Sequence, residues 1–142
     1  HGAGCKQRHA QGCFCNGRRI AVSDCRTLAE AVVAIDMGYD AERGARQLEL
    51  AQAVWPGMQS LRISGSAALG FAYVASARWD IYIHSDLQPW DIAPGLLLVR
   101  EAGGVVRDRK GAEATIYSRE AVATGAAMHD DFTAKSAGLP WT

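Results

Sequence analysis

The residues of this chain best suited to do chemistry lie in one segment, Gln88-Pro89-Trp90-Asp91-Ile92-Ala93-Pro94-Gly95, which runs through Leu96-Leu97-Leu98-Val99 to Glu101-Ala102-Gly103-Gly104. Asp91 is placed to open a helix. An anionic side chain is favoured there by the helix dipole, and free backbone N–H groups can face a phosphate. A carboxylate in that position can hold Mg²⁺ beside the phosphate, because Mg²⁺ commonly takes one or two carboxylates and keeps substrate oxygens in its shell. An Asp at a helix start is also an ordinary cap, so position alone leaves both roles open.

Two other groups invite a chemical reading. Cys5, Cys13, Cys15 and Cys25 all fall in the first 25 residues with His1 and His9 among them, a composition that could bind zinc. The single residue between Cys13 and Cys15 is shorter than the two to four usual in structural zinc pairs, so the thiols are read as free and reduced. The dense basic cluster Arg107-Asp108-Arg109-Lys110 precedes Gly111 and reads as a solvated turn rather than a phosphate site.

The elements that must position Asp91 follow from pattern. Residues 1–11 show no period and are expected to form an irregular tail, with the folded portion spanning 12–142. Cys13-Phe14-Cys15 and Arg18-Arg19-Ile20-Ala21-Val22 flank Asn16-Gly17, the composition of a tight β-hairpin. Thr27-Leu28-Ala29-Glu30 has capping-box form and leads into a β-branched, apolar strand over 31–35. Residues 42–54 carry Ala45, Leu48, Ala51 and Val54 at helical spacing, so a surface helix with that inward stripe is expected. A short strand at 61–63, a tight junction at Gly65-Ser66 and a helix over 67–77, apolar almost all round and so expected to be buried on most sides, come next, with Ser66 as its N-cap. A strand at 79–83, the helix 91–102 ended by Gly103-Gly104, strands at 105–107 and 121–123, and a helix over 130–137 complete the chain. Strands alternating with helices and no linker indicate an α/β fold, an αβα layering of one sheet covered by helices.

Composition narrows the function classes. Fifteen basic residues balance fifteen acidic ones, so no net field gathers nucleic acid or an anionic membrane. The longest apolar runs fall far short of the ~18–20 residues of a membrane span, and the N-terminus lacks a signal peptide's pattern. A cytoplasmic protein acting on a small molecule is expected.

The Trp90-Asp91 segment resembles the second signature of the inositol monophosphatase family, in which a Trp-Asp pair opens a helix closing on Glu-Ala-Gly-Gly. Gly17-Arg18-Arg19-Ile20 is similar to the family's hairpin, Leu61-Arg62-Ile63-Ser64-Gly65-Ser66-Ala67-Ala68 to its strand-to-helix junction, and Trp79-Asp80-Ile81-Tyr82 to the strand before the signature. The likeness covers roughly residues 12–133. It implies the sugar-phosphatase fold, Mg²⁺-dependent hydrolysis of a sugar or inositol phosphate, and a possible homodimer in the complete enzyme. By resemblance Asp91 is a metal ligand, Gly65, Ser66 and Ala67 contact the sugar, and Trp90 packs to fix Asp91. His84 stands where many inositol-specific members carry a sugar-contacting Glu, although a strand-end His is often a plain surface residue. That keeps sister activities open, on fructose bisphosphate, a nucleotide 3′-phosphate or histidinol phosphate. The family's remaining metal carboxylates belong to motifs upstream of the hairpin, and Asp36, Asp40 and Asp130-Asp131 lack their flanking Gly-Thr. The chain is therefore expected to be the C-terminal half of the fold, inactive alone, with a non-catalytic fragment as the alternative.

Overall fold

The computed structural model describes residues 5–8, in backbone only, and residues 12–139. Two sheets organise the chain. A three-stranded antiparallel sheet, ordered β1-β2-β3, comprises β1 (Cys5–Arg8), β2 (Gly12–Cys15) and β3 (Arg18–Ile20). Asn16 and Gly17 join β2 to β3 with φ of 50° and 80°, the two left-handed residues a tight hairpin turn demands. The irregular tail expected over residues 1–11 is corrected at Cys5–Arg8, which pairs with β2 in the register Cys5↔Cys15 to Arg8↔Gly12. Backbone pairing carries that strand, and the sequence Cys5-Lys6-Gln7-Arg8 has no alternation of apolar and polar residues to reveal it. The rest of that stretch, including His1 and His9, lies outside the described residues.

The larger sheet has the order β5-β4-β6-β8-β7. Its strands are β4 (Val32–Asp36), β5 (Ser60–Arg62), β6 (Ile81–His84), β7 (Val105–Arg107) and β8 (Ala121–Thr124). β4 runs parallel to both β5 and β6, whereas β8 is antiparallel to β6 and to β7. Side chains alternate across the pleat. Ala34, Tyr82, Ala121 and Ala123 turn to one face, against Phe71 and Val74 of α2 (Ala67–Ala75) and Ile92, Leu96 and Val99 of α3 (Pro89–Glu101). Val33, Ile35, Ile81, Ile83 and Val122 turn to the other, against Leu50, Ala51 and Val54 of α1 (Ala41–Val54) and Met128 and Phe132 of α4 (Ala126–Ser136). That is the αβα layering. The small sheet lies over the α3 side through Cys13 and Ile20, and Val22, just past β3, ties the segment down through its amide to Ala102 O at 3.0 Å.

Several local expectations shift. α1 buries Gly44, Gln47, Leu50, Ala51 and Val54, so its stripe is rotated from the expected one and Leu48 is exposed. The cause is specific: Gly44 approaches Met37 closely, and buried Gln47 Nε2 donates to Ile83 O at 3.3 Å. α2 buries one side only, leaving Ala68 and Leu69 outward. α3 starts at Pro89, whose missing N–H costs nothing in a first turn. α4 begins at Ala126, four residues early.

Candidate active site

The parallel strands β4 and β6 both end at one rim, in Asp36 and His84. In open α/β sheets, ligands bind outside the carboxyl ends of the strands. A cavity of about 380 Å³ lies there, and Gly65, Ser66, Ala67, His84 and Asp91 all line it, with Asp36 and Asp86. Residues proposed from distant parts of the sequence thus share one wall.

The junction after β5 is built by hydrogen bonds. Gly65 takes φ +68°, a left-handed conformation without cost for glycine. Ser66 is the N-cap of α2, its Oγ accepting from Leu69 N at 3.4 Å. The amides of Ala67 and Ala68, in the first helical turn, have no intrahelical acceptor. Asp36 secures this junction from below. Its Oδ1 accepts from the amides of Ser64 (3.0 Å) and Gly65 (2.8 Å), and its Oδ2 from Ser64 Oγ (2.7 Å) and Tyr82 Oη (2.9 Å). Burial alone raises the Asp36 carboxyl, but the bonds from Gly65, Ser64 and Tyr82 outweigh it and hold the group below its ordinary range. The Tyr82 hydroxyl is pushed far up by its own burial and by Asp36.

His84 is buried at 8% exposure, which corrects the surface reading of a strand-end histidine. Its Nδ1 accepts from the Asp86 amide at 3.1 Å, so the neutral ring carries its proton on Nε2. Burial lowers its pKa, against the opposing pull of Asp36, Asp86 and Asp91. Asp86 is itself buried and paired with Arg119.

Asp91 is the third residue of α3, not its cap; Gln88 holds that place. The carboxylate is half-buried and has no hydrogen bond or ion pair among the described residues. Trp90 is 73% exposed, so it does not pack to fix Asp91. The donor set fits a contribution to a Mg²⁺ site rather than a whole one. Asp36 has both oxygens occupied, Asp86 is engaged by Arg119, and no group of three potential ligands stands together among the described residues. Asp91 remains as one free anionic oxygen ligand of the kind Mg²⁺ takes.

The basic cluster forms a turn closed by Asp108 Oδ1, which accepts from Lys110 N and Ala112 N, and it lines no part of this cavity. Cys13, Cys15 and Cys25 are free thiols, also away from it. No helix among the described residues is long and apolar enough to cross a membrane. Sequence reasoning missed Asp36 and Asp86. The signal for Asp36 was a carboxylate ending an otherwise apolar strand.

The family model of the inositol monophosphatase family matches residues 4–138. A Thermotoga maritima protein named fructose-1,6-bisphosphatase/inositol-1-monophosphatase is 37% identical over 120 residues, 84% of this chain and 45% of that protein. The Nus factor SuhB of Xylella fastidiosa is 41% identical over 106 residues, covering 72% and 38%. Among solved structures, the extragenic suppressor protein suhB of Bartonella henselae superposes with a TM-score of 0.86 at 32% identity, covering 94% of this chain and 52% of that one. The inositol monophosphatase of Anabaena gives a TM-score of 0.87 at 29% identity, covering 96% and 54%. The chain spans about half the length of the relatives it matches.

Proposed function

The chain belongs to the inositol monophosphatase family, and we propose that it supplies the sugar-facing wall and one metal carboxylate of an Mg²⁺-dependent site hydrolysing a sugar or inositol phosphomonoester. The observation that carries this reading is the unpaired Asp91 carboxylate in the same cavity wall as Gly65, Ser66, Ala67 and His84. Mg²⁺, when bound, supplies activation of a water for in-line attack on phosphorus and charge to stabilise the departing alkoxide. The chain's own part is binding and orientation. Asp91 presents an anionic oxygen from the rigid first turn of α3. The amides of Ala67 and Ala68 and the Nε2–H of His84 are donors for substrate hydroxyl oxygens, and the Ser66 hydroxyl adds a further polar contact. Among the described residues that line the cavity, Asp91 is the single carboxylate without a partner, which is too few for a metal pair ~3.5–4 Å apart.

His84 favours a second substrate reading. A neutral donor replaces an anionic acceptor at the sugar-contact position, which suits a sister substrate such as fructose bisphosphate as well as inositol phosphate. The same reading includes a cytoplasmic homodimer, tested by sedimentation of the complete protein. The deciding assay is phosphate release from inositol monophosphate and fructose bisphosphate, with and without Mg²⁺, by a protein carrying both halves of the relatives' length. Mg²⁺-dependent turnover is expected from that protein and none above buffer from residues 1–142 alone. Turnover by residues 1–142 refutes the one-ligand reading; no turnover by the complete protein removes the phosphatase reading.

A further inference from the structure

We propose that Asp36 is a positioning residue for substrate: it touches none of the reacting atoms, but pins the Ser64-Gly65-Ser66 junction into the shape that faces the sugar. The inference rests on the phosphatase reading and adds to it a residue outside the metal and sugar contacts.

Asp36 lines the cavity yet is only 4% exposed, and each of its oxygens already accepts two hydrogen bonds. A carboxylate offers about four acceptor sites, so this one has none left for a metal or a substrate hydroxyl. Burying a charge is costly unless hydrogen bonds offset it. Three of the four donors are the backbone and hydroxyl of the junction itself, so the stabilisation of Asp36 depends on the junction holding its shape.

The junction has little else to hold it. Ile63 is 57% exposed, Gly65 is exposed, and a side chain built at Gly65 meets no atom within 4 Å. Packing therefore does not fix the left-handed turn there. The Ser64 hydroxyl extends the anchor by one step. It donates to Asp36 Oδ2 and accepts from Ser66 N at 3.3 Å, which sets the residue that caps α2. The path thus runs from Asp36 through Ser64 to Ser66, and from there to the free amides of Ala67 and Ala68. Tyr82 braces the other side, its ring held edge-on by Phe71 at 5.3 Å.

The test uses the protein carrying both halves and reads two quantities, the exchange rate of the Gly65 amide and the split between KM and kcat. Asp36→Ala removes the anchor, and Asp36→Asn keeps a carbonyl for the two amides. Ser64→Ala cuts the relay while leaving Asp36 three donors, so it remains informative should Asp36→Ala fail to fold. Ser64→Ala is expected to speed Gly65 exchange and raise KM for the sugar phosphate by about tenfold, the scale of one hydrogen bond to a charged group, with kcat nearly unchanged. Asp36→Ala is expected to exceed it, with Asp36→Asn between Asp36→Ala and the parent. Unchanged exchange in Ser64→Ala and Asp36→Asn overturns the anchor. Faster exchange with KM unmoved overturns the role in substrate positioning, as does a fall in kcat at constant KM, which would place Asp36 at the reacting centre. Failure of the phosphatase reading looks different: the unsubstituted protein turns over nothing while exchange still accelerates, and the positioning role then falls with it.

Discussion

Replacing Asp91 with Asn separates a metal ligand from a helix-end residue, because the two roles differ in what the amide preserves. Asp91 is the third residue of α3 and caps nothing; no side chain caps this helix at Gln88. The structural loss is therefore confined to one negative charge near a helix N-terminus, about 0.3–1 kcal/mol. In a domain of the relatives' length that shifts Tm by at most about 4 °C. The carboxylate has no hydrogen-bond partner among the described residues to lose, so no buried donor is left stranded. Its removal also withdraws one of the charges that raise the His84 pKa, which should fall a little further. The cost to metal binding is of another order. Changing a partner that merely orients a metal ligand typically costs 10–100-fold, and loss of the anionic ligand itself should cost at least about 100-fold in activity. The assay is kcat against Mg²⁺ concentration for both proteins carrying both halves, with melting curves alongside. Saturating Mg²⁺ near 100 times Kd should stabilise the unsubstituted protein by about 2.7 kcal/mol, and Asp91→Asn should largely abolish that gain. Equal kcat and equal Mg²⁺ dependence would refute the ligand role, whatever happened to Tm.

Gly95→Ala should destabilise by about 1–3 kcal/mol in urea unfolding, because its Cβ would overlap the ring of Phe71 in the fully buried α2–α3 contact; a change under about 0.5 kcal/mol would mean that the contact relaxes freely. His84→Glu should raise the ratio of kcat/KM for inositol monophosphate over fructose bisphosphate, and an unchanged ratio removes His84 from substrate choice. Burial, the largest cause in each case, depresses the pKa of both His84 and His129. Their stabilisation is complete above about pH 6.5 and is lost as pH falls toward the lowered folded values, at about 1.4 kcal/mol per unit of depression. His129→Gln should flatten that acid limb in melts between pH 7.5 and 5, and an identical limb would count against it.

The elements themselves were largely legible because their periods are strong. The Asn16-Gly17 hairpin, the β-branched run of β4 and the Gly103-Gly104 stop all announce themselves within a few residues. Faces were harder to read than elements. Leu48 and Leu50 are equally apolar, and nothing within α1 says which turns inward. The choice is made by Met37 against Gly44 and by the Ile83 carbonyl that receives Gln47. The start of α3 was misread because Asp91 looks like a cap, whereas Pro89 had already begun the helix two residues before.

Asp36 was illegible for a different reason, and the reason indicates how such sites can be found. Its partners Ser64 and Tyr82 lie 28 and 46 residues away, so no local pattern joins them. What joins them is strand order: β4 lies between β5 and β6, and all three run parallel. Once that order is known, Asp36, His84 and the Ser64-Gly65 junction must emerge at one rim, since each follows the carboxyl end of one of these strands. β8 runs the other way beside β6 and brings its amino end, Ala121, to this rim, whereas β7 runs with β6 and directs its carboxyl end, Arg107, toward the same side. A carboxylate that ends an apolar parallel strand is thus poorly placed to be a surface residue. It emerges where neighbouring strands release their loops, and there a buried charge is sustained only by donors that those loops provide. The carboxylate and the loop then stabilise each other, so a residue with no acceptor site left for a ligand can still decide the shape of the cavity wall.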